Sequence, residues 1–330
     1  MDVHLVGSVP FADADEVFST CCGVLGDRLA RVPDGETGIR TNWIAWQRPI
    51  LGAHPALHEV GAVANAQSRM PRFALRADFD GELAFDDLGY LTAAMDSYGR
   101  FVAARDAGRI GGQRFQVSLP TPLAAVAAYI DAPDQAAVFP AYEARLLAEA
   151  AAIIDAIPAE DLALQWDVAI EFAVLEGLFP VWLADPFEEI AGKLAALADL
   201  APGDVELGFH LCYGDAGNKH FKEPEDTGLM VRLANRVVEL TARRIDWVHL
   251  PVPIDRDDEG FFAPLAGLTA DRIGRVYLGL AHEQDGAEGA RRRIAAARPW
   301  LADFGVSTEC GLGRRKPEVA RALLDLMASL

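Results

Sequence analysis

His210 and Cys212 stand two residues apart, and Cys310 lies far along the chain; of all the residues these three are best equipped to act together. In a β-strand, residues i and i+2 project to the same face, so the imidazole and the first thiol can converge on one point. A second thiol arriving from another strand completes a His/Cys/Cys set. Such a set can hold zinc while leaving one tetrahedral position open to substrate. Two thiolates would neutralise the 2+ charge and leave a soft metal suited to a sulfur ligand. The long gap between the cysteines has no zinc-finger spacing. A buried histidine with two small apolar cysteines is the other reading of the same residues, and local pattern leaves both open.

Other polar residues carry similar pairs of readings. Asp34 and Glu36 belong to Arg31-Val-Pro-Asp-Gly-Glu36, whose Pro-Asp-Gly is also a turn sequence in its own right. Asp167 directly follows an apolar run, where an unpaired carboxylate is expensive, so it is expected to meet a cationic group of ligand or protein. His282 and Glu283 are each a candidate general acid or base, or a partner that orients a metal ligand. Arg314, in Arg-Arg-Lys at the start of the last helical pattern, opposes the helix dipole. It is a candidate for an anionic substrate group or an ordinary solvated cation. Cys21-Cys22 reads as helix core, and Trp43 with Trp46, three apart on a helix, as packing.

Eight short apolar runs position these residues: Val3–Val6, Leu29–Val32, Phe115–Leu119, Leu162–Trp166, Val205–Leu211, Trp247–Leu250, Arg275–Leu280 and Phe304–Ser307. Four to seven residues bounded by turn signals suits buried parallel strands. Amphipathic stretches separate most of them, at Gln135–Ile157, Pro186–Leu200, Glu225–Arg243 and Gly286–Ala302, with Lys316–Leu330 last. Eight strands alternating with helices predict an α/β fold, a (β/α)8 TIM barrel over residues 1–330 as one domain. Residues 41–114, between the second and third strands, read as an insertion over the barrel mouth: a Trp-containing helix, a loop and a helix at 88–106. A doubly wound sheet is the rival, disfavoured by the lack of Gly-x-Gly-x-x-Gly after the first strand. In a barrel the strands' C-terminal ends carry the site. Those ends are Ser8, Asp34 with Glu36, Thr121, Asp167, His210 with Cys212, His249, His282 and Cys310.

Composition narrows the partners. Thirty basic residues against forty-nine acidic ones leave −19, which excludes nucleic acid and anionic membrane surfaces on electrostatic grounds. No apolar stretch approaches the roughly 20 residues of a membrane span. The N-terminal residues lack a basic region and reach a Gly-Ser-x-Pro turn early, so no signal peptide is expected. Four cysteines are too few for a disulfide scaffold and point to a reducing cytoplasm.

Gly7-Ser8-Val9-Pro10, Leu164-Gln165-Trp166-Asp167, His210-Leu211-Cys212-Tyr213 and Glu309-Cys310-Gly311-Leu312-Gly313-Arg314-Arg315 occur in that order. Together they resemble the catalytic C-terminal half of cobalamin-independent methionine synthase, within the superfamily that includes uroporphyrinogen decarboxylase. The resemblance spans residues 4 to about 316. It implies a (β/α)8 barrel, zinc on His210, Cys212 and Cys310, and a small thiol or amino-acid-like substrate. Asp167 would hold the substrate amino group and Ser8 would face the carboxylate. His282 would assist proton transfer.

The chain departs from that pattern in three places. Pro251 stands near the family's further glutamate ligand, so three ligands suffice, His249 or Glu309 substitutes, or the metal is lost. Asp167-Val168-Ala169 replaces Asp-Glu-Pro. The N-terminal half of the long synthases has no counterpart, so methyl-folate-dependent methionine synthesis is not expected. The leading expectation is a zinc-dependent transferase moving a methyl or alkyl group to or from a small thiol. The alternative is a metal-free lyase or decarboxylase using Asp34, Glu36, Asp167 and His282 on an acidic substrate. A third reading is a barrel that binds thiol or metal without turnover.

Overall fold

The computed structural model describes residues 1–64, 69–215, 217 and 219–330. Its main layer is a seven-stranded parallel sheet made of β1 (Arg31–Pro33), β4 (Arg114–Pro120), β5 (Leu162–Val168), β6 (Glu206–Leu211), β7 (Ile245–Pro251), β8 (Ile273–Gly279) and β9 (Gly305–Val306), in that spatial order. A separate antiparallel pair, β2 (Leu57–Ala64) and β3 (Arg69–Leu75), falls between β1 and β4 in the chain. Parallel neighbours in chain order require crossovers, and helices Gln135–Ala156, Pro186–Asp199, Gly228–Leu240 and Gly286–Ala297 supply them. The result is a curled, TIM-like α/β half-barrel. All seven residues of β5 are buried, as a strand covered on both faces requires.

Seven of the eight expected runs are strands or contain one. The first is not. Val3 makes single parallel bridges to Leu29 on one side and Val306 on the other, so this segment touches both edges of the sheet without forming a ladder. The reason lies in its carbonyls. Gln116 Nε2 donates to Leu5 O (3.0 Å) and Val6 O (2.9 Å), and Gln165 Nε2 donates to Val6 O (2.6 Å). Glutamine side chains from β4 and β5 thus take the acceptors a strand neighbour would use. The expected closed eight-stranded ring is therefore not what the ladder describes.

The interior is unusually polar for such a sheet, where branched aliphatic side chains normally dominate. His4 Nε2 lies 2.9 Å from Gln165 Oε1, which also accepts from Trp247 Nε1 at 3.3 Å. The Arg31 guanidinium lies 4.1 Å from the Trp247 ring centroid and pairs with Glu206 at 2.5 Å. Trp247 fits only because Gly208 faces it; a Cβ there would meet the indole at 2.1 Å.

Between β1 and β4 the expectation of helix, loop and helix needs correction. Where a loop was expected, β2 and β3 pair as an antiparallel ribbon, and Phe73 bridges Ile130. Residues 65–68 of this stretch lie outside the described residues. Arg72 Nη1 donates to Ala127 O (2.8 Å) and Ile130 O (3.0 Å), taking free carbonyls at the end of helix Pro122–Tyr129. Helix Tyr90–Asp106 starts on a buried carboxylate. Glu149 accepts from the backbone N–H groups of Leu88, Tyr90 and Leu91 at 2.6, 2.7 and 3.1 Å. The expected tryptophan helix is a 3-10 segment, Gly38–Gln47, broken at Trp43, whose φ of 52° is left-handed. Trp43 and Trp46 thus do not share a helix face. Cys21 and Cys22 are buried in helix Ala14–Leu25, as read from sequence. Among the described residues, no helix is long and apolar enough to cross a membrane.

Candidate functional site

Parallel strands end on one side of their sheet, and several polar residues of that side line one cavity. His210 is the penultimate residue of β6, and Cys212 follows the strand directly. Cys310 comes four residues after β9. The cavity, of about 50 Å³, is lined by these three and by Ser8, Glu36, Trp43, Asp167, Asp215 and Arg314, among others. A water needs roughly 10–15 Å³ on this scale, so a small group fits.

The three would-be ligands lie within 4.8 Å of one another. Cys212 Sγ is 3.7 Å from Cys310 Sγ, and Cys310 Sγ is 3.6 Å from His210 Nε2. A zinc tetrahedron with Zn–S near 2.3 Å and Zn–N near 2.05 Å has edges of about 3.8 Å (S to S) and about 3.6 Å (S to N). The donor set therefore fits zinc in type, and in spacing along the two edges that meet at Cys310. The neighbouring Cys310 thiol and burial raise the Cys212 pKa well above the ordinary thiol range, so thiolates here require a cation beside them.

A chain of hydrogen bonds aims the imidazole. The Thr308 carbonyl can only accept, so His249 Nε2 donates to it at 3.0 Å. Burial lowers the His249 pKa to about 3, and its Nδ1 therefore carries a bare lone pair. That atom is 2.7 Å from His210 Nδ1, which must supply the proton. His210 Nε2 is left as the free lone pair facing the sulfurs, the orientation a metal ligand requires. His249 acts behind the ligand and is not in the ligand group. Glu309 is not in it either. Its carboxylate faces His282 Nδ1 (3.4 Å) and His220 Nε2 (3.6 Å), and burial pushes its pKa to about 8.

The remaining candidates divide. Ser8 lines the cavity; its Oγ accepts from Gly313 N–H at 3.3 Å, and a Cβ on Gly311 would meet that oxygen at 2.2 Å. Asp167 is only 7 % exposed, and its Oδ1 accepts from Gln165 Nε2 at 2.8 Å. Burial, then the nearby Glu36, raises its pKa well above the carboxylate range. Glu36 is pushed up to about 7, mainly by burial. Arg314 reaches the cavity but pairs with Asp215 at 3.2 Å. Asp34 is not among the lining residues. Arg40 Nη2, Ser97 Oγ and the Glu36 N–H bind it at 2.6, 2.6 and 2.8 Å. His282 also stands off, with Nε2 donating to Val252 O at 2.9 Å and its pKa lowered to about 3 by burial. Thr121 caps helix Pro122–Tyr129.

Trp43 and Asp215 escaped the sequence reading as cavity residues. The break that turns Trp43 inward leaves no pattern in the chain, whereas Asp215 is simply three residues beyond Cys212. Gln165 was readable, being two before Asp167 on the same strand face.

No protein-family profile and no curated protein sequence matches the chain. Solved structures do. One is a Listeria monocytogenes protein described as a "putative vitamin-B12 independent methionine synthase", at TM-score 0.60 and 15% identity, covering 98% of this chain and 96% of that one. Another is a methyltransferase from Methanosarcina mazei, at TM-score 0.52 and 11% identity, covering 98% and 94%. The likeness is one of fold. At such identities it reaches across the whole chain without assigning a reaction.

Proposed function

We propose that this chain is a zinc-dependent transferase that moves a methyl or alkyl group to or from a small thiol. The observation that carries the reading is the His210, Cys212 and Cys310 cluster, whose two edges at Cys310 match those of a zinc tetrahedron and whose ligand atoms all lie within 4.8 Å of one another. The methyl-transfer character of the two structural neighbours supports the same chemistry. Bound to these three residues, zinc would act as a Lewis acid that keeps an acceptor thiol deprotonated at neutral pH. The protein's own work is orientation and exclusion. His249 fixes the His210 lone pair, while Ser8, Gly311, Asp167 and Glu36 line the cavity beside it. Arg314, tethered by Asp215, offers a cation to an acidic substrate group. We further propose that the Val3 segment closes the curled sheet into a ring and that the protein works in the cytoplasm on a small molecule.

Elemental analysis of protein purified without chelator tests the proposal. Close to one zinc per chain is expected, with the metal lost in Cys212→Ser. Less than about 0.2 zinc per chain, unchanged by that substitution, ends it. The elevated pKa of Glu36 favours a second reading, a metal-free lyase or decarboxylase with that carboxyl as general acid. It requires Cys310→Ser to leave turnover nearly intact.

A further inference from the structure

Apart from the imidazole and the sulfurs, four ionisable side chains among the described residues line the cavity: Glu36, Asp167, Asp215 and Arg314. Asp215 and Arg314 cancel as a pair. Two thiolates around a divalent ion also sum to zero, as do two thiols without one. In either state Glu36 and Asp167 remain. The guanidinium of Arg40 is close enough for Glu36 to feel its charge, but Asp34 binds it and cancels that charge. Among the described residues the Glu36 carboxyl makes no hydrogen bond or ion pair. Its Oε1 occupies space that a Cβ on Gly7 would enter at 2.3 Å, so Gly7 makes room for it. Asp167, more than nine-tenths buried, has one oxygen held by Gln165 and the other without a hydrogen bond among the described residues. Trp43 adds an aromatic wall, and its indole N–H stands beside the Asp167 carboxyl. Two carboxyls with no cation bound to them, whose charge burial disfavours until one arrives, form with the aromatic ring a receptor for a cation too weakly hydrated to prefer water.

The leaving group points the same way. A neutral amine donor must be protonated as it departs, and His282, the histidine assigned that task by resemblance, neither lines the cavity nor has a free N–H. An onium centre needs no such proton.

We infer that the methyl donor is a small onium, a methylated sulfonium or quaternary ammonium, held by Glu36, Asp167 and Trp43. This rests on the transferase reading above and names its substrate class. The acceptor thiol loses its proton to solvent, and its sulfur lone pair forms the new C–S bond. The donor's C–S⁺ or C–N⁺ bond breaks with its electron pair going to the departing heteroatom. One cation and one thiolate thus become a neutral thioether and a neutral sulfide or amine.

Calorimetric titration of the full chain with trimethylsulfonium, against the neutral tert-butanol of similar size, tests the inference with and without zinc. Trimethylsulfonium should bind at least tenfold more tightly. Glu36→Gln and Asp167→Asn should each weaken it at least tenfold while circular dichroism and zinc content stay at wild-type values. Equal affinity for the two probes in the unmutated protein overturns the inference, as does a preference that survives both substitutions. Zinc content, measured on the same samples, decides the transferase reading separately, because the choice between cation and neutral probe is read in both metal states.

Discussion

His249→Phe isolates the hydrogen-bond chain behind the proposed metal ligand. Phenylalanine preserves a buried ring of similar size while removing the acceptor that lies 2.7 Å from His210 Nδ1. His210 is 2 % exposed, so its N–H would have no water to turn to. An unsatisfied buried donor costs about 1–3 kcal/mol. Losing the partner that orients a metal-bound histidine lowers affinity by about 10–100-fold, or about 1.4–2.7 kcal/mol. The two ranges overlap, so a drop of one to two decades in zinc affinity is expected. Competition with a chromophoric chelator measures it directly, and urea unfolding of the metal-free protein separates it from a general loss of stability. His249→Gln, which offers a carbonyl oxygen in place of the ring nitrogen, should recover part of the loss. Zinc affinity in His249→Phe within threefold of the wild type would refute the proposed alignment of His210.

Four further outcomes follow from particular contacts. Cys212→Ser and Cys310→Ser should each remove zinc, and in cobalt-substituted protein each should weaken the thiolate-to-metal absorption bands. Asp167→Asn should abolish turnover under either chemical reading, whereas only the metal-free reading spares Cys310→Ser. Glu149→Ala strips three backbone N–H groups of a shared buried acceptor. It should lower stability by about 3 kcal/mol or more, seen as a lower urea midpoint. Glu171 is 1 % exposed, and burial raises its pKa to about 7. A raised carboxyl pKa means the folded chain holds the proton longer than the unfolded chain. Stability is therefore greatest below about pH 4.5 on this account and falls as pH rises toward 7. Glu171→Gln should remove that fall, gaining up to about 3 kcal/mol over the wild type at pH 8 and little at pH 4. Parallel urea titrations at the two pH values test this.

The α/β alternation was legible because β4 to β8 are mostly apolar, with a single Asp, Glu or Arg in each, as deeply buried strands are. The first run failed as a strand for a reason no local pattern carries: Gln116 and Gln165, more than a hundred residues away, take its carbonyls. Val-rich and Arg-containing β2 and β3 lack a clean alternation and flank residues that read as loop, so their pairing went unseen. At the site, His210 and Cys212 were readable from their two-residue spacing, and Cys310 from its place after the last strand. Asp34 illustrates the limit. Its turn sequence was equally compatible with substrate binding and scaffold, and nothing local announced that Arg40 and Ser97, the latter contributed by a distant helix, bind its carboxylate.

Cys310 follows β9, which at two residues is the shortest strand of the sheet, while its proposed co-ligands belong to β6 in the middle. An ion shared between them would work as a clasp, fastening the least secured stretch of the sheet to its best secured one. Its free energy would appear mostly as resistance to local opening near the C-terminus. Chelation would then expose the tail around Pro317–Ser329 to proteases while the central strands stayed shut.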